Sequence, residues 1–265
     1  MIVTSVLANV LFFTNQGRVF SSRAYHIPES SRQAKGLPLI NFLELRPEEM
    51  VTTLVPARKL GSSDYLMMVT RQGIIKKVAL SAFENIRRNG LIAVNLREDD
   101  ELVGVRRVQE GDRLMIAASS GYSITFDEGQ IRPMGRNASG VKAISLGKND
   151  YVAGMDKYIE GADVLLVTEK GYGKRTPVGE FREQNRGGKG LKSIDLSEKT
   201  GKLVDFKVVT PDEELVILTG EGQLIRLEVQ DISQQKRYSR GVLLMRLPEN
   251  DAIVGVARFK VEKED

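Results

Sequence analysis

Cysteine is absent from this 265-residue chain and histidine occurs once, at His26, so disulfides, thiolate metal centres, cysteine nucleophiles and conventional zinc or histidine-relay sites are excluded together. Hydrophobic residues make up 41% of the sequence, enough for an ample core. A formal net charge of +4 is a weak argument for a nucleic-acid partner, so the placement of charge matters more than its sum.

The segment Met1 to Ala8 is apolar but too short to span a membrane, and it lacks the basic start and small-residue cleavage site of a signal peptide. It matches Met50-Val51-Thr52-Thr53-Leu54-Val55, which predicts that residues 1–8 are the last strand of a blade whose first three strands do not precede it. Five units then follow at a period near fifty residues, over 10–59, 64–109, 112–160, 162–210 and 213–261. Such a period with short apolar runs marks a repeat architecture.

Each unit opens on an apolar run that stops at glycine: Val10 to Phe13 before Gly17, Tyr65 to Val69 before Gly73, Leu114 to Ile116 before Gly121, Val164 to Val167 before Gly171, and Leu215 to Leu218 before Gly222. Runs of this kind read as buried strands entering hairpins, because glycine supplies the positive φ of a tight turn. A second glycine follows at Gly36, Gly90, Gly140, Gly190 and Gly241, with a third strand after it, as in Leu91 to Val94 and Val242 to Met245. A fourth strand follows an acidic turn, at Val51, Leu102, Tyr151, Leu203 and Ile253. Four strands per unit predict an all-β, propeller-like array of antiparallel blades forming a single domain over 1–265. The last residues, Glu262-Lys263-Glu264-Asp265, read as a solvated, disordered tail.

Basic residues keep step with the glycines. Arg32, Arg136, Arg186 and Arg237 stand four before the second glycine and Arg87 three before it, with Lys35, Arg88 and Arg240 close by. Another row follows the first glycine: Arg18, Lys76 with Lys77, Lys174 with Arg175, and Arg226. The third unit offers Tyr122-Ser123-Ile124-Thr125 there, so the predicted track is weakest at that point. Two adjacent basic rows suit a polyanion, whereas scattered surface charge would serve only solubility. The fourth unit is the most basic in count, with 10 Lys and Arg against 7 Asp and Glu. Its loop Gln184-Asn185-Arg186-Gly187-Gly188-Lys189-Gly190 is the sharpest motif: the glycines permit close backbone approach, Arg186 offers a bidentate phosphate fork, Lys189 a point charge, and Gln184 and Asn185 further hydrogen bonds. It is not a nucleotide-binding phosphate loop, because Gly190 follows Lys189 where Ser or Thr is required. Asp99 with Glu101 reads as a charged turn between strands in preference to a metal site.

This heptapeptide resembles the box, usually Q-R-R-G-G-K/R-G, of the carboxy-terminal domain family of DNA gyrase A subunits, with Asn185 in place of one basic residue. Phe12 to Arg18, Arg32 to Pro38, Asn85 to Leu91 and Glu169 to Thr176 are similar to that family too, so the resemblance covers essentially the whole chain. The related topoisomerase IV subunit shares the repeat, but its box is degenerate or lost. The resemblance implies a β-pinwheel, in which neighbouring blades exchange strands, and double-stranded DNA bent around basic residues in support of ATP-dependent supercoiling. It implies no catalysis and no cofactor in this domain, ATP and Mg being bound elsewhere in the enzyme. The implied setting is a bacterial cytoplasm, with the catalytic part of gyrase A and gyrase B as partners, no membrane, and an isolated domain that is monomeric. On the same resemblance the first blade's box would precede Met1, which places the present box on a later blade. The main rival is a propeller-type scaffold for protein partners, which would show an exposed apolar patch.

Overall fold

Glycine at positive φ closes a hairpin at the head of every repeat. Gly17, Gly73, Gly121, Gly171 and Gly222 have φ of 74–85°. Each donates its N–H to the carbonyl three residues earlier, at 2.9–3.1 Å, so the apolar run before it turns back as a second antiparallel strand. The computed structural model describes residues 4–29, 36–57, 60 and 63–260. Within these, the first repeat supplies β1 (Asn9–Thr14), β2 (Arg18–Arg23) and β3 (Val51–Ala57), and the second β4 (Tyr65–Thr70), β5 (Ile74–Ala79), β6 (Leu91–Ile92) and β7 (Leu102–Val108). The third supplies β8 (Arg113–Ala118), β9 (Tyr122–Asp127), β10 (Val141–Lys142) and β11 (Val152–Lys157), and the fourth β12 (Asp163–Thr168), β13 (Tyr172–Pro177), β14 (Leu191–Lys192) and β15 (Leu203–Val209). The last supplies β16 (Glu213–Thr219), β17 (Leu224–Glu228), β18 (Val242–Leu243) and β19 (Ile253–Lys260).

The sheets do not follow the repeats. Their orders are β3-β1-β2-β6, β10-β5-β4-β7, β11-β8-β9-β14, β15-β12-β13-β18 and β17-β16-β19. The two-residue third strand of the second to fifth repeats therefore completes the sheet of the repeat before it, as where Leu191 and Lys192 pair with Ser123 and Tyr122. This exchange makes the fold a β-pinwheel. It also explains the second glycine, which brings the incoming strand against the backbone of its host: a Cβ on Gly241 would stand 2.6 Å from the Gly173 carbonyl oxygen, at φ +89°.

The acidic turns are fasteners rather than surface charge. A residue at positive φ, Glu48, Asp99, Asn149 or Asn250, aims the next carboxylate back at the first hairpin of its own repeat. Glu49 accepts from the Thr14 hydroxyl at 2.7 Å, Asp100 from the Gln72 amide at 2.9 Å, Asp150 from the Ser119 hydroxyl at 2.7 Å and Asp251 from the Glu221 amide at 3.2 Å. Burial works against the Asp150 carboxylate, but hydrogen bonds from Ser120 and Ser119 outweigh it and hold its pKa below the usual range.

The chain divides into two compact units, one of residues 2–110 with 131–141 and the other of 111–130 with 142–265. In the first, Leu11, Phe13, Leu66, Met68 and Phe83 pack as a core cluster, with Phe13 edge-on to Phe83 at 6.0 Å. In the second, Met115, Leu166, Phe206 and Ile194 form one cluster, and Leu165, Leu215, Ile217 and Val256 form another.

Two expectations are corrected. Residues 4–8 are not a strand: the Val6 carbonyl accepts from the Tyr25 amide and the Ala8 carbonyl from Ala24, so the segment is taken up as the lead-in to its own hairpin, with Val6 and Leu7 exposed. Residues 1–3 of that predicted strand and the tail 261–265 lie outside the described residues. Among the described residues the fifth sheet has three strands rather than four, because β18 has gone to the sheet of the fourth repeat and no strand is received in its place. No helix among the described residues is long and apolar enough to cross a membrane.

Candidate nucleic-acid interface

The first basic row turns inward. Arg18 is 7% exposed and bonds Glu49 at 2.8 Å, with the Asn89 carbonyl as a further acceptor. Lys76, 1% exposed, donates to the carbonyls of Ala93 and Gly135 at 3.1 Å, Ala138 at 2.8 Å and Arg136 at 2.5 Å. Lys77 is buried with its ammonium over the Tyr65 ring. Lys174, fully buried, donates to the Lys236 carbonyl at 2.7 Å and the Arg237 carbonyl at 2.8 Å. Arg175 pairs with Asp163 at 2.6 Å and donates to the Ile232 carbonyl, and the exposed Arg226 pairs with Glu214. Arg18, Lys76, Lys77 and Lys174 are thus not presented to a polyanion. Strands buried on both faces leave nowhere outside for their side chains to go, and carbonyls of the adjoining loops replace water around Arg18, Lys76 and Lys174.

The second row is the outward one. Three of its arginines use one terminal nitrogen to bond the exchanged strand: Arg136 to the Ile92 carbonyl at 3.3 Å, Arg186 to Lys142 at 3.1 Å and Arg237 to Lys192 at 2.9 Å. Each of the three residues is half-buried. Beside these arginines the loops carry exposed cations, Arg87 and Arg88 in the second repeat, Lys189 in the fourth and Arg240 in the fifth, with Arg88 paired to Glu44 at 3.1 Å. Arg32 and Lys35 lie outside the described residues.

The Gln184–Gly190 loop shares one tie with the Arg237 loop, where the Arg237 backbone N–H meets the Glu180 carboxylate at 3.1 Å. Arg186 is fixed by its backbone N–H to the Gln130 side-chain oxygen at 2.9 Å and by Nε to the Gln130 carbonyl at 3.1 Å. Gly187 donates to the Ala143 carbonyl at 2.6 Å, and its own carbonyl accepts from the Ser145 hydroxyl at 2.8 Å. Asn185, Gly188 and Lys189 face solvent, Lys189 lying over the Tyr122 ring at 4.4 Å. Gln184 does not join them, since its side-chain nitrogen is enclosed without an acceptor. Gly190 sits against the Ser123 carbonyl and serves strand exchange.

Sequence reasoning missed Lys142 and Lys192, two residues after the second glycine, although their fifty-residue spacing was a usable signal. Their carbonyls hold Arg186 and Arg237, which sets one cluster of Lys142, Arg186 and Lys189 and another of Lys192, Arg237 and Arg240. Asp195 bonds Lys192 at 2.6 Å and holds its pKa above the usual lysine range. Arg132, Arg182 and Lys236 are exposed in the same loops and were also missed.

A family model described as the DNA gyrase C-terminal domain, beta-propeller, matches residues 8–58, 64–109, 112–157, 162–210 and 213–260, unit for unit with the blades above. The chain belongs to the DNA gyrase C-terminal domain family. Among curated gyrase A subunits, that of Halalkalibacterium halodurans is 53% identical over 256 residues, covering 97% of this chain and 31% of the relative. That of Clostridium acetobutylicum is 44% identical over 263 residues, 99% of this chain and 31% of the relative. The chain thus spans about a third of the length of these gyrase A relatives. The solved DNA topoisomerase IV C-terminal domain superposes with a TM-score of 0.87 at 24% identity, covering 96% of this chain and 80% of that one. A DNA gyrase A C-terminal domain gives 0.84 at 23%, covering 97% and 84%. Both share the fold of this chain. Among the described residues of this family member, no group of three or more His, Asp or Glu side chains is placed to hold a metal.

Proposed function

We propose that this chain binds double-stranded DNA without sequence preference and bends it across the cationic loops of successive blades, as the non-catalytic DNA-wrapping part of a gyrase A subunit. In that role it serves ATP-dependent negative supercoiling in a bacterial cytoplasm, with gyrase B and the catalytic part of gyrase A supplying the chemistry and this domain needing no cofactor of its own. The observation that carries the reading is the repeated arginine edge. Arg136, Arg186 and Arg237 are each tied to an exchanged strand, and in the last two the clusters add Lys189 and Arg240 as exposed cations. Such groups neutralise phosphates and release counterions, giving affinity that falls by roughly 0.9 log unit per log unit of salt for each phosphate contacted. Bending 20–30 base pairs through 40–90° costs about 1–6 kcal/mol, which contacts from several loops offset and a single loop does not.

A protein-scaffold reading is favoured by one feature, the exposed Leu218, Leu224 and Val254 on the fifth sheet, where Leu218 and Leu224 are cross-strand partners. Binding to nicked circular DNA followed by ligation and linking-number analysis across a salt series separates the two. A salt-sensitive shift toward positive linking number supports wrapping. Binding without a shift leaves DNA binding alone, and no binding at low salt leaves the scaffold.

A further inference from the structure

Two of the arginine loops rest on a buried ammonium, and the Gln184–Gly190 loop does not. Three residues after the first glycine stand Lys76, Ile124 and Lys174. Lys76 gathers four carbonyls, three of them from the loop that carries Arg136. Lys174 gathers the carbonyls of Lys236 and Arg237 and the Ser239 hydroxyl, on the loop that carries Arg237 and Arg240. Ile124 instead lies under Gly188, where an added Cβ would be 3.7 Å from it, and Ser145 satisfies the carbonyls of Gly187 and Gly188.

We propose that Lys76 and Lys174 are positioning residues whose ammonium groups set the Arg136 and Arg237 loops for phosphate contact, making DNA affinity proton-linked in the alkaline range while the Gln184–Gly190 loop stays indifferent to pH. This rests on the DNA-binding reading above. An ammonium has three donors to share among these acceptors, and a neutral amine has two and no charge. Burial is the main force on both lysines and brings each pKa down to about 8. The charged group facing Lys76 is Arg136, which lowers it further; those facing Lys174 are Glu180 and Asp195, which oppose burial, and Arg237, which adds to it. Phosphates drawn to these loops favour the protonated form, so binding takes up protons and weakens as pH rises through about 8. Global stability moves the other way. Both folded pKa values lie below 10.5, so the unfolded chain binds more protons between about 8 and 10.5 and stability rises with pH there. Weakened binding in that window is therefore not unfolding.

The test is fluorescence anisotropy of a mixed-sequence duplex with the 265-residue chain at fixed salt and pH 7, 8 and 9, for the unsubstituted protein and for Lys76→Met with Lys174→Met. The unsubstituted affinity is expected to fall by up to about tenfold per lysine between pH 7 and 9. The double variant is expected to bind more weakly at pH 7 and to show a flat profile. Amide protection at 135–139 and 236–240, but not at 185–189, is expected to drop in the variant. A flat profile in the unsubstituted protein, an unchanged profile in the variant, or unchanged loop protection overturns the proposal. No binding at pH 7 in low salt by the unsubstituted protein overturns the DNA reading itself, and loop protection then decides the clamp alone.

Discussion

Arg18 tests whether the structure has sorted the basic residues correctly, because by spacing it belongs to the charged track and by burial it does not. Its guanidinium is 7% exposed and meets a fully buried Glu49 side chain at 2.8 Å, with Phe20 beneath it at 4.7 Å. Replacement by alanine takes the cation from the Glu49 carboxylate and leaves it only the Thr14 hydroxyl and the Arg46 amide, and stripping one partner from a buried pair costs about 3–5 kcal/mol. For a chain of this size that is a fall in Tm of about 6–20 °C. Phosphate contact is untouched, so the slope of log affinity against log salt should stay where it was. Lys189→Ala is the mirror case: the side chain is exposed, so the melting temperature should hold while the slope falls by about 0.9. Between 50 and 200 mM salt that is about 3.5-fold less loss of affinity. Thermal melting by circular dichroism and salt-series anisotropy read the two quantities separately. An Arg18→Ala protein that melts normally and loses a unit of salt slope would refute the burial argument.

Gly241→Ala should destabilise by about 1–3 kcal/mol, since φ is +89° and the new Cβ meets the Gly173 carbonyl, whereas Gly147→Ala, with open space around it, should melt within about 0.5 kcal/mol of the parent. Asp150→Asn should be less stable than the parent at neutral pH. The folded pKa is depressed, so the contribution is present above the ordinary aspartate value and lost as pH falls through the folded one; melting curves from pH 6 to pH 3 should converge. Arg186→Ala with Lys189→Ala should reduce DNA bending, read by end-to-end energy transfer on a short duplex, more than it reduces affinity; equal loss of both in matched salt would count against a division of labour between loops.

The blades were legible because a hairpin glycine and the apolar run before it are local facts: Gly121 and Leu114 to Ile116 mean the same thing in the chain and in the fold. The four-stranded unit was legible too, but the host of its third strand was not readable from spacing, since a two-residue pairing such as Leu191-Lys192 on Ser123-Tyr122 carries too little pattern. Charge was the least legible feature. A lysine recurring with the period looks the same whether it faces phosphates or carbonyls, and Lys76 and Lys174 face carbonyls. The signal that distinguishes them lay in the repeat itself: a position held by Lys76, Ile124 and Lys174 accepts an isoleucine, so it belongs to the interior. The acidic turns carry no such signal, although Glu49 and Asp100 are nearly as buried.

Because each interior sheet takes its edge from the following repeat, the modules of the sequence and the modules of the fold are out of phase. A cut between repeats, at residues 110–111 for example, separates β5 from its guest strand β10, just as a cut before Gly190 separates β9 from β14, so no cut at a repeat boundary or at a second glycine leaves every sheet whole. Duplication of a repeat adds one donor and one acceptor at once and so conserves the number of open edges. A pinwheel of this kind can therefore change its number of blades by whole units while each added host sheet receives its edge from the next repeat.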